Sequence, residues 1–412
     1  MKARSLFLVV AVLILLAGYS PRAAAQPPIP PLPADLLFTT NLAEVGDKPR
    51  NVIARVDAET LEVTPFYIDA EAFAVVPLSW SPQGDLLAVY RVLYPIDDSN
   101  TLLPRELCIL DRGGALFQCM DDALAVYGVE DPPYWGSAAY FPITWGHDGQ
   151  TIYFETEYTS TKSHTGYGRR LVEADALTGE TLRVVYDYPN LYSLSISPDL
   201  TYIGVGFEED WYGIEYRAYI EDLTTGTQLD LPDLMPYAVG LSRLYSFSPQ
   251  GTYFTLGTSY LTAYYAPELE QLYEAGSLIH ILDPEGNILH VVGEPEGPEP
   301  LVWYLEAPTW QADEQAIVFY AYGSEHMYLM RYSLPDRQLT PLYELGEAGH
   351  EPYVYAPFVT SPGNTHIALT VSSEAYGTRK LAVLYPDGEI YRIPMTHTFG
   401  LYPVWVPPDT NE

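Results

Sequence analysis

The stretch Leu78–Gly84, with the sequence LSWSPQG, decides the fold together with the apolar run Leu86–Val89 that follows it. Two short apolar segments flank a turn in which Pro82 fixes φ and Gly84 can take a positive φ. Turn residues between two apolar runs of this length predict a β-hairpin.

The same hairpin pattern recurs along the chain. The positions equivalent to Trp80 are Trp145, Ile196, Phe247, Trp310, Thr360 and Trp405, and successive copies lie 45 to 65 residues apart. A second hairpin follows every copy except the last, in segments 107–119, 170–185, 218–231, 278–292, 327–342 and 381–393. Two hairpins per repeat at this spacing predict the four-stranded blades of a β-propeller.

The two ends of the repeat array complement each other. A strand at Leu36–Phe38 and a hairpin at Val52–Tyr67 precede the first copy, whereas the last copy, Pro403–Asp409, supplies a single strand. The predicted fold is therefore all-β, a seven-bladed β-propeller whose last blade is closed by the N-terminal strands plus the C-terminal strand. An open β-solenoid, the alternative, would not need complementary ends.

The Ser-Pro-Asp-Gly strand pairs resemble the repeats of TolB-type and WD-like β-propellers of bacterial envelope proteins, over about residues 36–409. The resemblance implies a propeller fold and suggests a periplasmic module for protein interaction. TolB-type propellers usually have six blades and an added N-terminal domain, whereas seven blades are predicted here. The repeat is therefore specific for fold and unspecific for function.

Residues 1–25 have the features of a signal peptide. Lys2 and Arg4 precede an apolar run of eleven residues, Leu6–Leu16, and Ala23-Ala24-Ala25 matches a cleavage site. The run is shorter than the ~20 residues that span a bilayer, so no membrane span is predicted. Residues 26–35 form a Pro-rich leader, expected to be extended and poorly ordered. Residues 36–412 are predicted to form one propeller domain, monomeric and extracytoplasmic, either periplasmic or secreted.

The chain contains two cysteines, Cys108 and Cys119. A two-residue turn at Gly113-Gly114 would place them opposite each other in the hairpin 107–119. In an exported protein such a pair favours a disulfide over a metal site. A pair of free buried thiols is the alternative.

The formal net charge is −34. A surface of this sign repels nucleic acid and anionic lipid, so neither is expected as a partner. It favours cations, basic peptides or neutral ligands. Acidity that serves only the solubility of an exported protein is the simpler interpretation.

Motifs that would indicate catalysis do not occur in the sequence. There is no Gly-x-Ser-x-Gly, and His350-Glu351 does not continue as a His-Glu-x-x-His zinc motif. We therefore predict no catalytic residues, no cofactor and no metal site. The acidic segments Asp97-Asp98 and Glu208–Asp210 could bind Ca²⁺ or be solvated loop residues. A hydrolase or lyase with acidic residues in the central funnel is the alternative function.

Aromatic residues concentrate in the long connections between second and third strands and between blades. These connections all leave one face of a propeller, and binding residues often lie on loops held by a rigid scaffold. Tyr and Trp combine an apolar ring with a polar atom, which suits sugars and peptides. The predicted ligand-binding residues are Tyr134, Trp135, Tyr167, Trp211, Tyr212, Tyr264, Tyr265, Trp303, Tyr304, Tyr353, Tyr355 and Tyr402.

Two alternatives remain for these rings: they bind a ligand, or they pack the loops down on themselves. The Trp residues within the motif, such as Trp80 and Trp145, are instead predicted to pack between blades. The sequence thus predicts a non-catalytic, extracytoplasmic binding or scaffolding propeller. Its long-loop face would hold a protein, a peptide or a glycan.

Overall fold

The computed structural model describes sixteen segments of the chain: 29–42, 50–93, 102–121, 125–128, 143–159, 167–188, 191–208, 216–231, 238–241, 246–261, 275–293, 304–322, 326–347, 358–372, 379–394 and 400–408. All regular secondary structure in these segments is β-strand. No helix in them is long and apolar enough to cross a membrane.

Thirty strands are present in the described segments. The first fifteen are β1 (Leu36–Leu42), β2 (Arg50–Val56), β3 (Val63–Tyr67), β4 (Ala72–Trp80), β5 (Leu86–Leu93), β6 (Leu102–Asp111), β7 (Leu116–Cys119), β8 (Ala125–Gly128), β9 (Ile143–Trp145), β10 (Thr151–Thr159), β11 (Tyr167–Asp175), β12 (Thr181–Tyr188), β13 (Leu191–Ile196), β14 (Tyr202–Glu208) and β15 (Tyr216–Asp222). The remainder are β16 (Thr227–Asp230), β17 (Ala238–Leu241), β18 (Ser246–Phe247), β19 (Phe254–Leu261), β20 (Ala275–Leu282), β21 (Ile288–Val292), β22 (Tyr304–Trp310), β23 (Ala316–Tyr322), β24 (His326–Ser333), β25 (Gln338–Glu347), β26 (Val359–Thr360), β27 (Ile367–Ser372), β28 (Arg379–Leu384), β29 (Ile390–Arg392) and β30 (Gly400–Trp405).

The strands form seven antiparallel sheets, which are the blades of the propeller. Blade 1 contains β4–β8, blade 2 β9–β12, blade 3 β13–β16, blade 4 β17–β21, blade 5 β22–β25 and blade 6 β26–β29. In blade 1 the fourth strand consists of two pieces, β7 and β8, which both pair with β6; in blade 4 the first strand consists of β17 and β18, which both pair with β19. The seven-bladed fold and the second hairpin of every repeat are thus confirmed.

Blade 7 joins the two ends of the chain. Its strand order is β3-β2-β1-β30, so the C-terminal strand takes the place of the first strand. Leu36 pairs with Trp405 in this blade, as Leu87 pairs with Trp80 in blade 1. The predicted closure of the last blade is confirmed.

The residues before blade 7 differ from the prediction. Leu32 is 6 % exposed and donates its N–H to the carbonyl of Ala58, and the Tyr385 hydroxyl donates to the carbonyl of Pro30. Leu32 also packs among buried residues of blades 6 and 7. Residues 29–35 are therefore docked on the propeller. Removing the Leu32 side chain from water stabilises this arrangement relative to a leader that is exposed to solvent.

Every motif turn closes in the same way. In blade 1 Ser81 donates its N–H to the carbonyl of Leu86 at 2.8 Å, and Gly84 donates to the carbonyl of Ser81 at 2.9 Å. Gly84 has φ 73°, which glycine adopts without steric cost. The equivalent fourth turn position also has a positive φ in the other five turns, at Gly149, Leu200, Gly251, Glu314 and Asn364.

The core consists of seven apolar clusters, most of which lie between consecutive blades. One cluster joins blades 7 and 1, for example through Leu37 and Leu87, and another joins blades 1 and 2 through Ala88 and Ile152. Motif Trp residues lie in these interfaces: the Trp145 indole N–H donates to the Ser79 hydroxyl of the preceding blade at 3.1 Å. Trp145, Trp310 and Trp405 are all buried in clusters that include the preceding blade, as predicted.

Antiparallel pairing gives the propeller two distinct faces. The motif turns and the turns between third and fourth strands lie on one face, which we call the tight-turn face. Second strands end, and third strands begin, on the opposite face, which we call the long-loop face. The connections predicted to be long leave from the long-loop face.

Aspartates stabilise many turns on the tight-turn face. The Asp148 carboxylate accepts hydrogen bonds from the N–H groups of Gln150 and Thr151 at 2.9 Å each, and Asp222 accepts from Thr224 and Thr225. These backbone hydrogen bonds lower the pKa of Asp148, and the hydrogen bonds from Thr224 lower the pKa of Asp222. Part of the large acidic content is therefore explained by turn formation.

Candidate binding surfaces

Most of the predicted ligand-binding aromatics lie outside the described residues. These are Tyr134, Trp135, Trp211, Tyr212, Tyr264, Tyr265, Trp303, Tyr353 and Tyr355. Tyr167 begins β11, a third strand, and Tyr304 begins β22, a first strand. Both strand starts lie on the long-loop face, where the sequence placed them.

Tyr402 does not belong with a set of surface rings. It is 4 % exposed and packs in the cluster that contains Tyr320 and Phe358. Its φ of 54° accompanies a register shift in the β1–β30 pairing. Tyr402 is a core residue, and its prediction as a ligand-binding residue is corrected.

Buried polar side chains increase along the second strands toward the long-loop face. Several of these strands have buried apolar residues near the tight-turn face, as in Leu86–Val89 of β5 and Ile152–Phe154 of β10, whereas β19 buries the polar Thr255 there. Further along, polar residues are buried: Thr39, Thr40, Arg91, Glu155, Thr156 and Thr370. Buried polar residues also occur at the tight-turn face, as at Ser81 and Ser197, where their hydroxyls bond within the motif turns. The buried charged side chains of Arg91 and Glu155 distinguish the long-loop ends of β5 and β10.

Arg91 is the centre of a buried charge network between blades 7 and 1. Its Nε lies 2.5 Å from Oδ2 of Asp69 and its Nη1 lies 2.8 Å from Oε2 of Glu106. Arg91 and Asp69 are 6 % and 7 % exposed. The Tyr67 hydroxyl donates to the same oxygen of Asp69 at 2.9 Å, and Asp69 Oδ1 accepts the N–H of Glu71.

Charge and hydrogen bonding decide the ionisation of this network. Burial alone would raise the pKa of Asp69, but the N–H of Glu71, the Arg91 guanidinium and the Tyr67 hydroxyl outweigh it, so that pKa is lowered. Burial and the adjacent Asp69 raise the pKa of Tyr67. Arg91 and Asp69 are thus a charged pair, and Tyr67 is a neutral donor.

The disulfide lies beside this network. Cys108 and Cys119 are bonded to each other and are directly opposite in the β6–β7 pairing, as predicted. Arg91 Nη1 is 3.5 Å from the Cys119 sulfur and 3.7 Å from the Cys108 sulfur. The bond therefore links β7 to the third strand β6 beside the interface between blades 7 and 1.

The turn that brings the cysteines together is not the predicted one. Asp111 donates its N–H to the carbonyl of Ala115, and Leu110 pairs with Leu116, so the turn contains three residues rather than Gly113-Gly114 alone. A register shift between Ile109 and Leu110 then restores the pairing of the cysteines. A glycine with positive φ followed by a bulge is a common hairpin solution that the two-residue interpretation overlooked.

A depression of about 440 Å³ lies on the tight-turn face where the two ends of the chain meet. Phe66, Trp80, Arg55 and Arg112 line it, together with Pro407 and Pro408. Arg112 donates to the carbonyls of Gly84 and Pro407 and lies over the Trp80 ring. Arg112 thereby links the motif turn of blade 1 to the segment that follows β30, a contact that the sequence pattern alone does not reveal.

Arg91 is the residue that sequence reasoning missed. It stands within the apolar run Leu86–Leu93, which the motif assigns to a buried strand. A charge inside a buried strand requires a partner. That rule could have identified Arg91, although not its partner Asp69, which lies in the connection between β3 and β4.

These features define a closed, seven-bladed all-β propeller. No protein-family model and no curated protein sequence matches the chain. Similar solved structures include PpgL, the periplasmic gluconolactonase of Pseudomonas aeruginosa, which is 16 % identical over 91 % of this chain and 99 % of that chain, with a TM-score of 0.54.

Two further structures with this fold are relevant. The β-propeller domain of the Trilobed protease from Pyrococcus furiosus is 12 % identical over 88 % of this chain and 93 % of that chain, with a TM-score of 0.54. That domain is described as having an open velcro topology, whereas here β30 pairs with β1. TolB from Acinetobacter baumannii is 12 % identical over 91 % of this chain and 83 % of that chain, with a TM-score of 0.45. At these identities the similarity shows the fold alone.

Proposed function

We propose that this chain is a non-catalytic, extracytoplasmic binding propeller that presents its long-loop face to a protein, a peptide or a glycan. The observation that carries the proposal is the asymmetry between the two faces. The described part of the tight-turn face consists of short turns whose aspartates and serines bond to their own backbone. The opposite ends of the second strands carry the long connections, and the buried charged residues Arg91 and Glu155 lie toward this end of β5 and β10.

A rigid ring supports binding at the long-loop face. The apolar clusters between blades hold the strand ends that carry the long connections in fixed positions. Rigid positioning lowers the ordering cost that a binding surface would otherwise incur. The aromatic residues predicted to bind, such as Trp135 and Trp211, belong to connections that leave this face.

The disulfide and the predicted signal peptide support an extracytoplasmic location. Disulfides persist in oxidising compartments and are rare in the cytosol. The net charge of −34 also favours partners that are neutral or basic over anionic ones.

An enzyme is the second candidate, since the fold accommodates both roles. PpgL is a gluconolactonase, and an acylaminoacyl peptidase from Pyrococcus horikoshii is similar over 88 % of this chain and 51 % of that chain, with 12 % identity and a TM-score of 0.54. An enzymatic role would require a carboxylate with a His or Arg partner at the funnel mouth.

The experiment is a thermal-shift screen of residues 26–412 with oligosaccharides, basic peptides and Ca²⁺, followed by binding assays on variants. A ligand at 100 times its Kd adds about 2.7 kcal/mol of stability. The variants Trp135→Ala, Trp211→Ala and Trp303→Ala should weaken binding without lowering Tm.

The matched control is Phe117→Ala, which removes an aromatic ring 49 % exposed on the outer strand β7, away from the long-loop face. It should leave binding unchanged. Loss of binding in the control and not in the Trp variants would place the ligand on the outer rim. Turnover of any ligand that binds would favour the enzyme.

A further inference from the structure

Three potential metal ligands converge on one side of blade 1. Glu106 and Cys108 are two residues apart on β6, so their side chains project from the same side of the sheet. Cys119 stands directly opposite Cys108 on β7. The two sulfurs and a carboxylate oxygen of Glu106 all lie within 4.8 Å of one another.

We propose that Cys108, Cys119 and Glu106 form a binding site for Zn²⁺ or a similar soft divalent cation, which opens when the disulfide is reduced. Thiolate sulfur and carboxylate oxygen are both zinc ligands, and three protein ligands leave a fourth tetrahedral position for water. The disulfide and the metal site are then alternative states of the same two sulfurs.

Arg91 balances the charge of this site. Its Nη1 lies 2.8 Å from Glu106 Oε2, and 3.5 Å and 3.7 Å from the sulfurs of Cys119 and Cys108. Two thiolates and one carboxylate around a divalent cation leave a single net negative charge, which the guanidinium compensates. Positive charge beside a cysteine also favours the thiolate, which is the form that binds metal.

In the proposed exchange the reductant is an external dithiol. Cys119 is the more accessible cysteine, because Cys108 is 0 % exposed and Cys119 lies partly exposed on the outer strand. A thiolate of the dithiol attacks Cys119, the protein disulfide breaks, and Cys108 leaves as a thiolate beside Arg91. The second thiol of the reagent then displaces Cys119. The dithiol is oxidised to its disulfide, and its two protons pass to solvent as the cation binds both thiolates.

The fold holds the three side chains together without the sulfur–sulfur bond. Ile109 pairs with Gln118 and Leu110 with Leu116 next to the cysteines. Met120, 4 % exposed, also donates its N–H to the carbonyl of Leu107 beyond them. These backbone bonds keep β7 in register, so reduction should free the sulfurs without separating the strands.

The test uses the full mature chain, reduced with a phosphine under anaerobic conditions, freed of reagent and titrated with Cd²⁺ and then Zn²⁺. We expect one Cd²⁺ per reduced chain, with the ultraviolet charge-transfer band of a cadmium–thiolate bond. The oxidised chain should show no such band. This band distinguishes Cd²⁺ bound by the cysteine thiolates from Cd²⁺ bound adventitiously by surface carboxylates.

The decisive comparison is between two variants, each of which removes one carboxylate near the Arg91 guanidinium. Glu106→Gln removes a ligand and should weaken Cd²⁺ binding about 10-fold or more in the reduced chain. Glu71→Gln removes an 85 % exposed carboxylate that lies 3.7 Å from Arg91 and is not among the proposed ligands, so it should leave binding unchanged. Equal effects of both variants would mean that only net charge matters, and would overturn the site.

Two further results would also overturn the proposal. One is a folded reduced chain, with unchanged β-sheet circular dichroism, that binds Cd²⁺ without the charge-transfer band. The other is loss of the β-sheet signal on reduction, which would make the disulfide a purely structural bond.

Discussion

The backbone N–H of Val406 donates to the carbonyl of Asp35 at 2.9 Å, joining the first and last blade strands of the chain. The equivalent hydrogen bond in blade 1 runs from the N–H of Ser81 to the carbonyl of Leu86, and there a continuous turn connects the two residues. Blade 7 thus has the hydrogen bond of the motif without the continuous turn. Closure of the ring therefore depends on the non-covalent contacts of β30.

Trp405→Ala should weaken this closure. Trp405 is 5 % exposed, packs between blades 6 and 7, and donates its indole N–H to the carbonyl of Val359 at 3.2 Å. A buried Trp→Ala change costs about 3–5 kcal/mol. Urea unfolding should show a loss of this size, with Phe117→Ala, on an exposed rim position, losing less than about 1 kcal/mol. Similar losses in both variants would mean that β30 does not limit stability.

Glu314→Gly should destabilise the protein, although glycine is the residue found at the same turn position in blades 1, 2 and 4. Glu314 has φ 57°, so glycine would relieve about 1 kcal/mol of strain. Its Oε1, however, accepts the N–H of Gln250 from the neighbouring motif turn at 2.6 Å. Leaving that N–H without its acceptor costs about 1–3 kcal/mol.

The control for this turn is Glu314→Gln, which retains an oxygen acceptor. Equilibrium unfolding should rank the chain with Glu314 and the Gln variant close together and the Gly variant below them. A Gly variant more stable than the original chain would show that backbone strain outweighs the contact between blades.

Asp69→Ala should be among the most damaging single changes between blades 7 and 1. It would remove the buried carboxylate from Arg91, 6 % exposed, and leave that residue with Glu106 and the exposed Glu71. Breaking one member of a buried pair costs about 3–5 kcal/mol. Asp69→Asn retains acceptors for the N–H of Glu71 and the Tyr67 hydroxyl, so its loss should be smaller. Thermal unfolding of the two variants in parallel measures the difference.

Stability should fall between pH 7 and pH 5 because of His280. Burial lowers the pKa of His280 from 6.5 to about 4, so the unfolded chain binds a proton in this range that the folded chain does not. A difference of that size is worth roughly 3 kcal/mol once the pH reaches the folded value. His280→Leu should flatten the pH dependence of the unfolding free energy. The control His147→Gln, at an exposed motif turn, should leave the pH dependence of the unfolding free energy unchanged.

The architecture could be predicted because its determinants are local and repeated. Each motif specifies two strands and a turn through residues such as Pro82 and Gly84, and seven copies reinforce one another. The pairing of Cys108 with Cys119 could also be predicted, although from a two-residue turn that the structure does not have. Closure by β30 followed from the count of strands at each end.

The sites depend on contacts between distant segments, which the repeat does not encode. Asp69 meets Arg91 where the connection between β3 and β4 passes the end of β5, and the depression near Trp80 lies where residues 33–35 and 406–408 come together. Docking of Leu32 on blades 6 and 7 likewise could not be derived from a Pro-rich composition. The aromatic surface remains a prediction, since most of its residues lie outside the described segments.

The position of β30 also constrains the order of events during synthesis. Blade 7 lacks its first strand until residues 400–405 have been made, so Leu36 and Phe38 remain without the partners that bury them. A chain without β30 therefore leaves blade 7 with three strands and the ring open. Closure of the ring must follow synthesis of residues 400–405, whereas the strands of blades 1 to 6 can pair before it.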